Sequence, residues 1–118
     1  MTNATLIQCG YADTPAGQVH YRAVAGRAPA VVFLHQTASS SASFIPVLES
    51  LRLPNRLVAI DTPGFGGSFD PAGWPSMAKY AAFVVAALDA LRIRSFHVFG
   101  QHTGANLAGE LALRHPDR

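Results

Sequence analysis

The sequence is almost free of cysteine. Cys9 is the only cysteine among the 118 residues, so these residues can form neither an intramolecular disulfide nor a cysteine-based metal site. A low cysteine content is typical of proteins that work in a reducing compartment. We therefore expect a cytoplasmic protein.

Lysine is equally scarce. Lys79 is the only lysine, the remaining basic residues are arginines scattered along the chain, and the net charge is +2. A basic stripe with interleaved aromatic residues, which is typical of nucleic-acid binding, does not occur. The charge pattern therefore predicts no nucleic-acid partner.

Long apolar runs are also missing, although 49% of the residues are hydrophobic. The longest apolar stretch, around residues 80–88, is too short to cross a bilayer. Residues 1–5 contain no basic segment of a secretory signal. We expect no membrane contact. With only 14% charged residues, the composition indicates a packed domain whose apolar surface needs further chain to cover it.

The sequence does contain a regular alternation of apolar runs and helical stripes. Apolar runs bounded by turn formers predict strands at residues 6–11, 18–24, 30–34, 56–60 and 96–99. Apolar residues that recur on one helical face predict helices at residues 44–53, 77–91 and 103–114. Turns are expected at residues 13–17, which would close a hairpin, and at residues 26–29. This order predicts an α/β fold with a predominantly parallel sheet and flanking helices.

Individual residues mark the ends of the predicted helices. Pro46 fits the first turn of a helix, where its missing N–H costs nothing. Ser76 is expected to be the N-cap of the second helix. Pro116 stops the last helix from running on.

A short turn joins the last predicted strand to the last predicted helix. Residues 100–104 read Gly-Gln-His-Thr-Gly, which is the Gly-x-Nuc-x-Gly arrangement of a nucleophile elbow. Glycine at both ends lets the strand and the helix approach without a Cβ clash. The central residue, His102, would be held at the helix N-terminus above the carboxyl end of the strand, where chemistry in open α/β sheets takes place.

Three motifs in this order resemble the N-terminal half of the α/β-hydrolase superfamily. His35-Gln36-Thr37 follows the third strand, at the position of the family's His-Gly-x segment. Residues 61–68 resemble its Asp-x-Pro-Gly-x-Gly-x-Ser loop, and residues 100–104 resemble its elbow. The resemblance implies an antiparallel hairpin followed by three strand–helix units. Residues 1–118 would be a partial domain that ends after the helix following the elbow.

Two residues depart from the family pattern. Gln36 replaces a glycine, and His102 replaces the usual Ser, Asp or Cys. The combination is similar to a bacterial branch of hydrolases with histidine at the elbow. The family's catalytic acid and general-base histidine would lie beyond Arg118. We therefore expect residues 1–118 alone to be inactive and to self-associate through the unpaired edge at residues 96–99.

Three roles for His102 are open. A neutral imidazole has a free lone pair and could attack an ester directly, giving an acyl-imidazole. It could instead act as a general base that activates water. In the third role His102 is inert, and the chain is a non-catalytic ligand-binding or vestigial member of the fold. The resemblance favours a hydrolase of ester-like or activated small molecules.

The resemblance also implies an oxyanion hole formed by the backbone N–H groups of Thr37 and Thr103. Gln36 either contacts the substrate through its amide or is only structural. Phe65 is a candidate for lining the cleft, as is Phe69. His35 is expected to hydrogen-bond loop backbone behind the oxyanion hole.

The remaining candidate residues are expected to be structural. His97 is predicted to be packed, and His20 and His115 to lie at the surface or at strand ends. The histidines show no metal-ligand spacing, so neither a metal nor a cofactor is predicted. The glycines of residues 61–68 match no nucleotide-binding pattern and would shape a turn. Trp74 could contact a cap over the active site or anchor the hydrophobic core.

Overall fold

A computed structural model describes residues 6–118, which form a five-stranded sheet with helices on both faces. The strands are β1 (Gln8–Thr14), β2 (Gly17–Val24), β3 (Arg27–Leu34), β4 (Asn55–Ile60) and β5 (Phe96–Gly100). The helices are α1 (Ile45–Ser50), α2 (Met77–Ala90) and α3 (Thr103–Arg114), and a 3-10 turn (Ser41–Phe44) precedes α1. The predicted alternation of strands and helices is confirmed.

The sheet has the strand order β1-β2-β4-β3-β5. β2 pairs antiparallel with both β1 and β4, whereas β3 runs parallel to both β4 and β5. The hairpin therefore occupies one edge and the three parallel strands the other, which confirms the predicted fold class. In this register Leu34 lies opposite Ile60 and Gly100, so the carboxyl ends of β3, β4 and β5 meet at one edge of the sheet.

The alternation of side chains along β3 divides the core between the two faces of the sheet. Val32 and Leu34 point to the face covered by α2 and α3, and Phe33 points to the face covered by α1. The larger cluster also contains Val58, Ile60, Val84, Leu88, Leu107 and Leu111. The smaller cluster contains Phe44, Leu48, Leu57 and Ala59. Both layers hold the parallel strands in place beneath the carboxyl-end loops.

The predicted helix at residues 44–53 is too long. α1 ends at Ser50 because Leu51 adopts an extended conformation, three residues before Pro54. A residue before proline is disfavoured in a helix, and this limits how far α1 can run. The helix begins at Ile45, one residue later than predicted, and Pro46 lies in the first turn of α1 as expected.

The predicted turn at residues 26–29 is also wrong in part. β3 begins at Arg27, which pairs with Asn55 and whose N–H donates to the Pro54 carbonyl at 2.9 Å. The register then shifts between Arg27 and Val31, so the strand continues through the segment that the turn formers suggested. Backbone pairing with β4 overrides the local turn signal.

Within residues 6–118, no helix is both long enough and apolar enough to cross a membrane. The prediction of no secretory signal rests on residues 1–5, which lie outside the described residues.

Candidate active site

The turn at residues 100–104, which the sequence predicts to be a nucleophile elbow, joins β5 to α3. His102 is the N-cap of α3 and has φ 55° and ψ −117°, a conformation that side-chain-bearing residues rarely adopt. A Cβ on Gly100 would collide with the Gly104 carbonyl, and a Cβ on Gly104 would collide with the Leu34 carbonyl. The two glycines are therefore required for the close packing of β5, β3 and α3 that holds His102 in this conformation.

His102 lies at the edge of the sheet where the parallel strands end. The Gln101 N–H donates to the Leu34 carbonyl at 3.1 Å, and the Ala105 N–H donates to the His102 carbonyl at 2.8 Å. The His102 side chain is exposed, and no residue of the described chain forms a hydrogen bond with its ring. The backbone fixes the position of the His102 side chain, and both ring nitrogens are free, so the imidazole is accessible to a ligand.

Thr37 and Thr103 meet beside the elbow. The Thr37 N–H donates to the Thr103 hydroxyl at 2.6 Å, and the Thr37 hydroxyl donates to the same oxygen at 2.7 Å. The Thr103 N–H, at the first turn of α3, has no acceptor among the described residues. The two residues expected to supply the oxyanion donors are thus neighbours, and one of these donors is already occupied by a side chain.

His35 fixes the direction of the Thr37 N–H. The buried His35 ring accepts a hydrogen bond at Nε2 from the Thr62 N–H at 3.0 Å, so its Nδ1 carries the proton and donates to the Gln36 carbonyl at 2.7 Å. The Gln36 carbonyl and the Thr37 N–H belong to one trans peptide and point in opposite directions. By holding the carbonyl on one side, His35 turns the N–H towards the elbow.

A cavity of about 240 Å³ lies against this pair of threonines. Its polar end is formed by His35, Thr37, Thr62 and Thr103. The rest of the wall is mainly apolar and is formed by Phe65, Trp74, Pro75, Met77, Tyr80, Gly104 and Leu107. The cavity thus pairs a few hydrogen-bonding groups with a large apolar surface, as small-molecule sites commonly do.

The buried carboxylate of Asp61 ties together three separate parts of the chain. Its oxygens accept hydrogen bonds from the Ser41 N–H at 2.6 Å, the Gly67 N–H at 2.9 Å and His20 Nδ1 at 2.8 Å. Burial acts to raise the pKa of Asp61, but the hydrogen bonds from the Ser41 side chain, the Gly67 and Ser41 N–H groups and His20 outweigh it. They hold the pKa of Asp61 below its ordinary value.

Ser68 links the same loop back to β2. Its hydroxyl accepts the His20 N–H at 2.9 Å and donates to the Asp61 carbonyl at 2.6 Å. The predicted surface or strand-end position of His20 is therefore wrong: the residue lies within β2, and its side chain is only 13% exposed. The His20–Asp61 pair joins residues 41 positions apart, and no local sequence pattern predicts it.

The other aromatic and histidine predictions have mixed outcomes. Phe65 lines the cavity, whereas Phe69 packs on the core and forms an edge contact with Phe83. Trp74 is 99% exposed at the cavity rim, so it is not a core anchor. His97 is exposed rather than packed, because the sheet face to which it points is only partly covered at β5.

Gln36 is exposed and lies outside the cavity lining, so its contact with a substrate stays a prediction. His102 also lies outside that lining and faces solvent beside the Thr103 end of the cavity. Residues 6–118 hold no cluster of three or more metal-ligating side chains.

The family of the chain is shown by comparison with a family model. A model of the alpha/beta hydrolase fold family matches residues 29–118, which is most of the chain, and we conclude that the chain belongs to this family.

Relatives within this family have diverse names. The chain is 31% identical over 108 residues to the dihydrolipoyllysine-residue acetyltransferase component of the acetoin cleaving system of Cupriavidus necator, covering 92% of this chain and 29% of that protein. It is 33% identical over 108 residues to a haloalkane dehalogenase of Agrobacterium fabrum, covering 90% of this chain and 35% of that protein.

The structure is similar to that of naproxen esterase from Bacillus subtilis, with a TM-score of 0.85 and 26% identity over 97% of this chain and 41% of the esterase. In each case the chain spans less than half the length of the protein that it matches.

Proposed function

We propose that the full-length protein is a hydrolase of ester-like or similarly activated small molecules, with His102 at the reacting position. The backbone conformation of His102 carries this proposal: φ 55° and ψ −117° at the head of α3 hold a side chain above the carboxyl ends of the parallel strands. Such strain costs about 1–3 kcal/mol and persists mainly where function uses it. The neighbouring cavity and the membership of the alpha/beta hydrolase fold family support the same function.

In the nucleophilic route, the unprotonated ring nitrogen of His102 attacks the carbonyl carbon of the ester. The resulting tetrahedral oxyanion accepts hydrogen bonds from the Thr37 and Thr103 N–H groups. Collapse of the intermediate expels the alcohol, which takes up the proton lost from the other ring nitrogen. Water then attacks the acyl-imidazole, releasing the acid and regenerating neutral His102.

In the general-base route, His102 takes a proton from a water molecule as that water attacks the carbonyl carbon. The same proton passes to the departing alcohol, and no covalent adduct forms. Both routes use the same donors and the same elbow. In either route, a carboxylate and a histidine beyond Arg118 would complete the machinery, in line with the family resemblance.

The shape of the cavity favours a particular kind of substrate. Its apolar wall would accept an acyl or aryl group of a few carbons, and the carbonyl would lie at the threonine end. Cationic or polyanionic substrates find no charged partner in this lining.

The proposal is tested by saturation kinetics of the full-length protein with short 4-nitrophenyl esters. Because any exposed imidazole reacts slowly with such esters, His97→Ala is the matched control: His97 is exposed but lies outside the elbow. We expect saturable turnover that the control variant retains. A rate that stays linear in ester concentration, or that is lost in His97→Ala, would overturn the proposed function.

The two routes are separated by rapid quenching and intact-mass measurement. An acyl group on the peptide that contains His102 during turnover identifies the nucleophilic route. Turnover without this adduct identifies the general-base route.

A second candidate function is ligand binding without chemistry. It is favoured by one observation: the Thr103 hydroxyl occupies the Thr37 donor that an oxyanion would need. In this case a small ligand raises the thermal midpoint of the full-length protein, while ester turnover and the covalent adduct are both missing.

A further inference from the structure

We propose that the Thr103 hydroxyl is a resident substitute for the substrate oxygen, and that it sets the affinity of the site for carbonyl ligands. The proposal rests on the oxyanion role proposed above for the Thr37 N–H. It assigns to a side chain a part in a site that the resemblance described under Sequence analysis builds only from backbone groups. The role is that of a specificity-determining residue.

The geometry of the contact carries this inference. The Thr103 oxygen accepts from both Thr37 donors, the N–H at 2.6 Å and the hydroxyl at 2.7 Å. A hydroxyl oxygen has two lone pairs, and both are thereby used. His35 holds the peptide of this N–H in place through the Gln36 carbonyl, so the donor cannot turn away to another acceptor.

A carbonyl ligand must therefore displace an acceptor that is already in position. The exposed Thr103 side chain can rotate away, because it has no hydrogen-bond partner among residues 6–118 other than Thr37. Rotation breaks both hydrogen bonds, but the exposed Thr37 hydroxyl regains a partner in water. The net cost is therefore roughly what one neutral hydrogen bond contributes, which corresponds to an affinity loss of about three- to tenfold.

The cost of moving the Thr103 hydroxyl is the same for every ligand that takes the Thr37 N–H. A neutral carbonyl oxygen is an acceptor of about the same strength as a hydroxyl, so the exchange gains little. An oxyanion accepts hydrogen bonds that are roughly twice as strong and displaces the hydroxyl more completely. The Thr103 hydroxyl thus lowers the affinity for any carbonyl ligand, and the preference for the tetrahedral intermediate comes from the charge of the oxyanion.

The test uses the full-length protein and 2-hexanone, a ketone without a leaving group. Thr103→Val keeps the branched shape of the side chain and removes the hydroxyl, whereas Thr103→Ser keeps the hydroxyl and serves as the matched control. We expect the Kd for the ketone to fall about three- to tenfold in Thr103→Val, and to stay within about twofold in Thr103→Ser. An unchanged or higher Kd in Thr103→Val would overturn the proposal.

Hydrogen exchange of the Thr37 amide gives a second measurement that needs no ligand. We expect this amide to exchange several times faster in Thr103→Val than in Thr103→Ser, because only the serine retains the acceptor. Equal exchange rates in the two variants would show that the contact is not made in solution and would also overturn the proposal. Thr103→Ala replaces the valine variant if the latter fails to give a cooperative thermal transition.

The ketone cannot be hydrolysed, so this result is independent of turnover. If the protein lacks ester turnover but gains ketone affinity in Thr103→Val, the hydrolase proposal fails and the role of Thr103 stands. If turnover is present but the affinity is unchanged, the reverse holds.

Discussion

Two residues with side chains adopt positive φ angles on either side of the threonine pair. Ala38, with φ 65°, directly follows Thr37, and His102, with φ 55°, directly precedes Thr103. Left-handed backbone is unfavourable for residues other than glycine, so the surrounding packing must hold both conformations. Among residues 6–118, two of the three non-glycine residues with positive φ therefore flank the proposed oxyanion donors, and the third, Arg92, follows α2.

Gly104 provides the first test at the scale of the residue. Gly104→Ala should lower the free energy of unfolding by about 1–3 kcal/mol, because its Cβ would meet the Leu34 and His35 carbonyls. Gly109, on the same helix, is the matched control, since a Cβ there meets no atom within 4 Å. Gly109→Ala should raise stability by about 0.5–1 kcal/mol. Urea unfolding of the full-length variants measures both, and equal effects would contradict the packing described.

Asp61 provides a test that depends on pH. Its pKa in the folded protein lies below the ordinary value of 3.8, so the ionised form contributes stability above that pH. This contribution is lost as the pH falls below 3.8 through the folded-state pKa. Asp61→Asn should therefore be destabilised most near neutral pH, and its deficit against the wild type should shrink in acid.

Urea unfolding at neutral and acid pH measures this deficit. Asp70→Asn is the control for the same experiment, because Asp70 is exposed. Its unfolding free energy should change by no more than about 0.5 kcal/mol. A deficit in Asp61→Asn that stays constant from neutral to acid pH would contradict the role assigned to the carboxylate.

At the scale of the element, local sequence signals predict most of the architecture. Helix α3 has the predicted bounds, and α2 begins after Ser76, whose hydroxyl accepts the Lys79 N–H at 3.1 Å. Apolar periodicity and capping act within a few residues, and a single sequence contains them in full. The end of β1, the end of α1 and the start of β3 differ from prediction, because each depends on a partner strand or a following proline.

The site was only partly predictable for the same reason. The two glycines of the elbow identify the turn because no other residue fits there, and the position of Thr37 follows from the order of the motifs. The His20–Asp61 pair and the Thr103–Thr37 contact depend on how distant loops meet. His20 directly follows the buried Val19 in β2, and nothing in the sequence around it indicates its partner, so tertiary packing alone decides the pairing.

Ser76 allows the contribution of a helix cap to stability to be measured. Ser76→Ala should lower the unfolding free energy by about 1 kcal/mol, because the Lys79 N–H loses its acceptor at the start of α2. Ser95→Ala, at an exposed serine outside the helices, should change it by less than about 0.5 kcal/mol. Equal thermal midpoints for the two variants would refute the cap.

At the scale of the whole molecule, β5 forms an open edge of the sheet. The Phe96 N–H points away from β3 and donates to the Arg118 carbonyl at 3.0 Å. Because alternate residues of a strand face the same neighbour, the backbone of Val98 and Gly100 also faces this edge. Phe99 is 54% exposed on the partly covered face. An apolar edge of this kind readily pairs with another strand.

We therefore propose that a polypeptide limited to residues 1–118 self-associates. Sedimentation velocity should show species larger than a monomer whose proportion grows with concentration. A monomeric fragment with a cooperative thermal transition would show that the open edge of β5 does not cause self-association.

The most direct test of the central claim is the ester turnover of the full-length protein carrying His102→Ala. The account predicts that kcat/KM falls by at least about 100-fold, because the variant loses its nucleophile or general base. The thermal midpoint should not fall, since the His102 side chain is exposed and forms no hydrogen bond with described residues. Turnover equal to that of the wild type would show that the chemistry does not take place at the elbow.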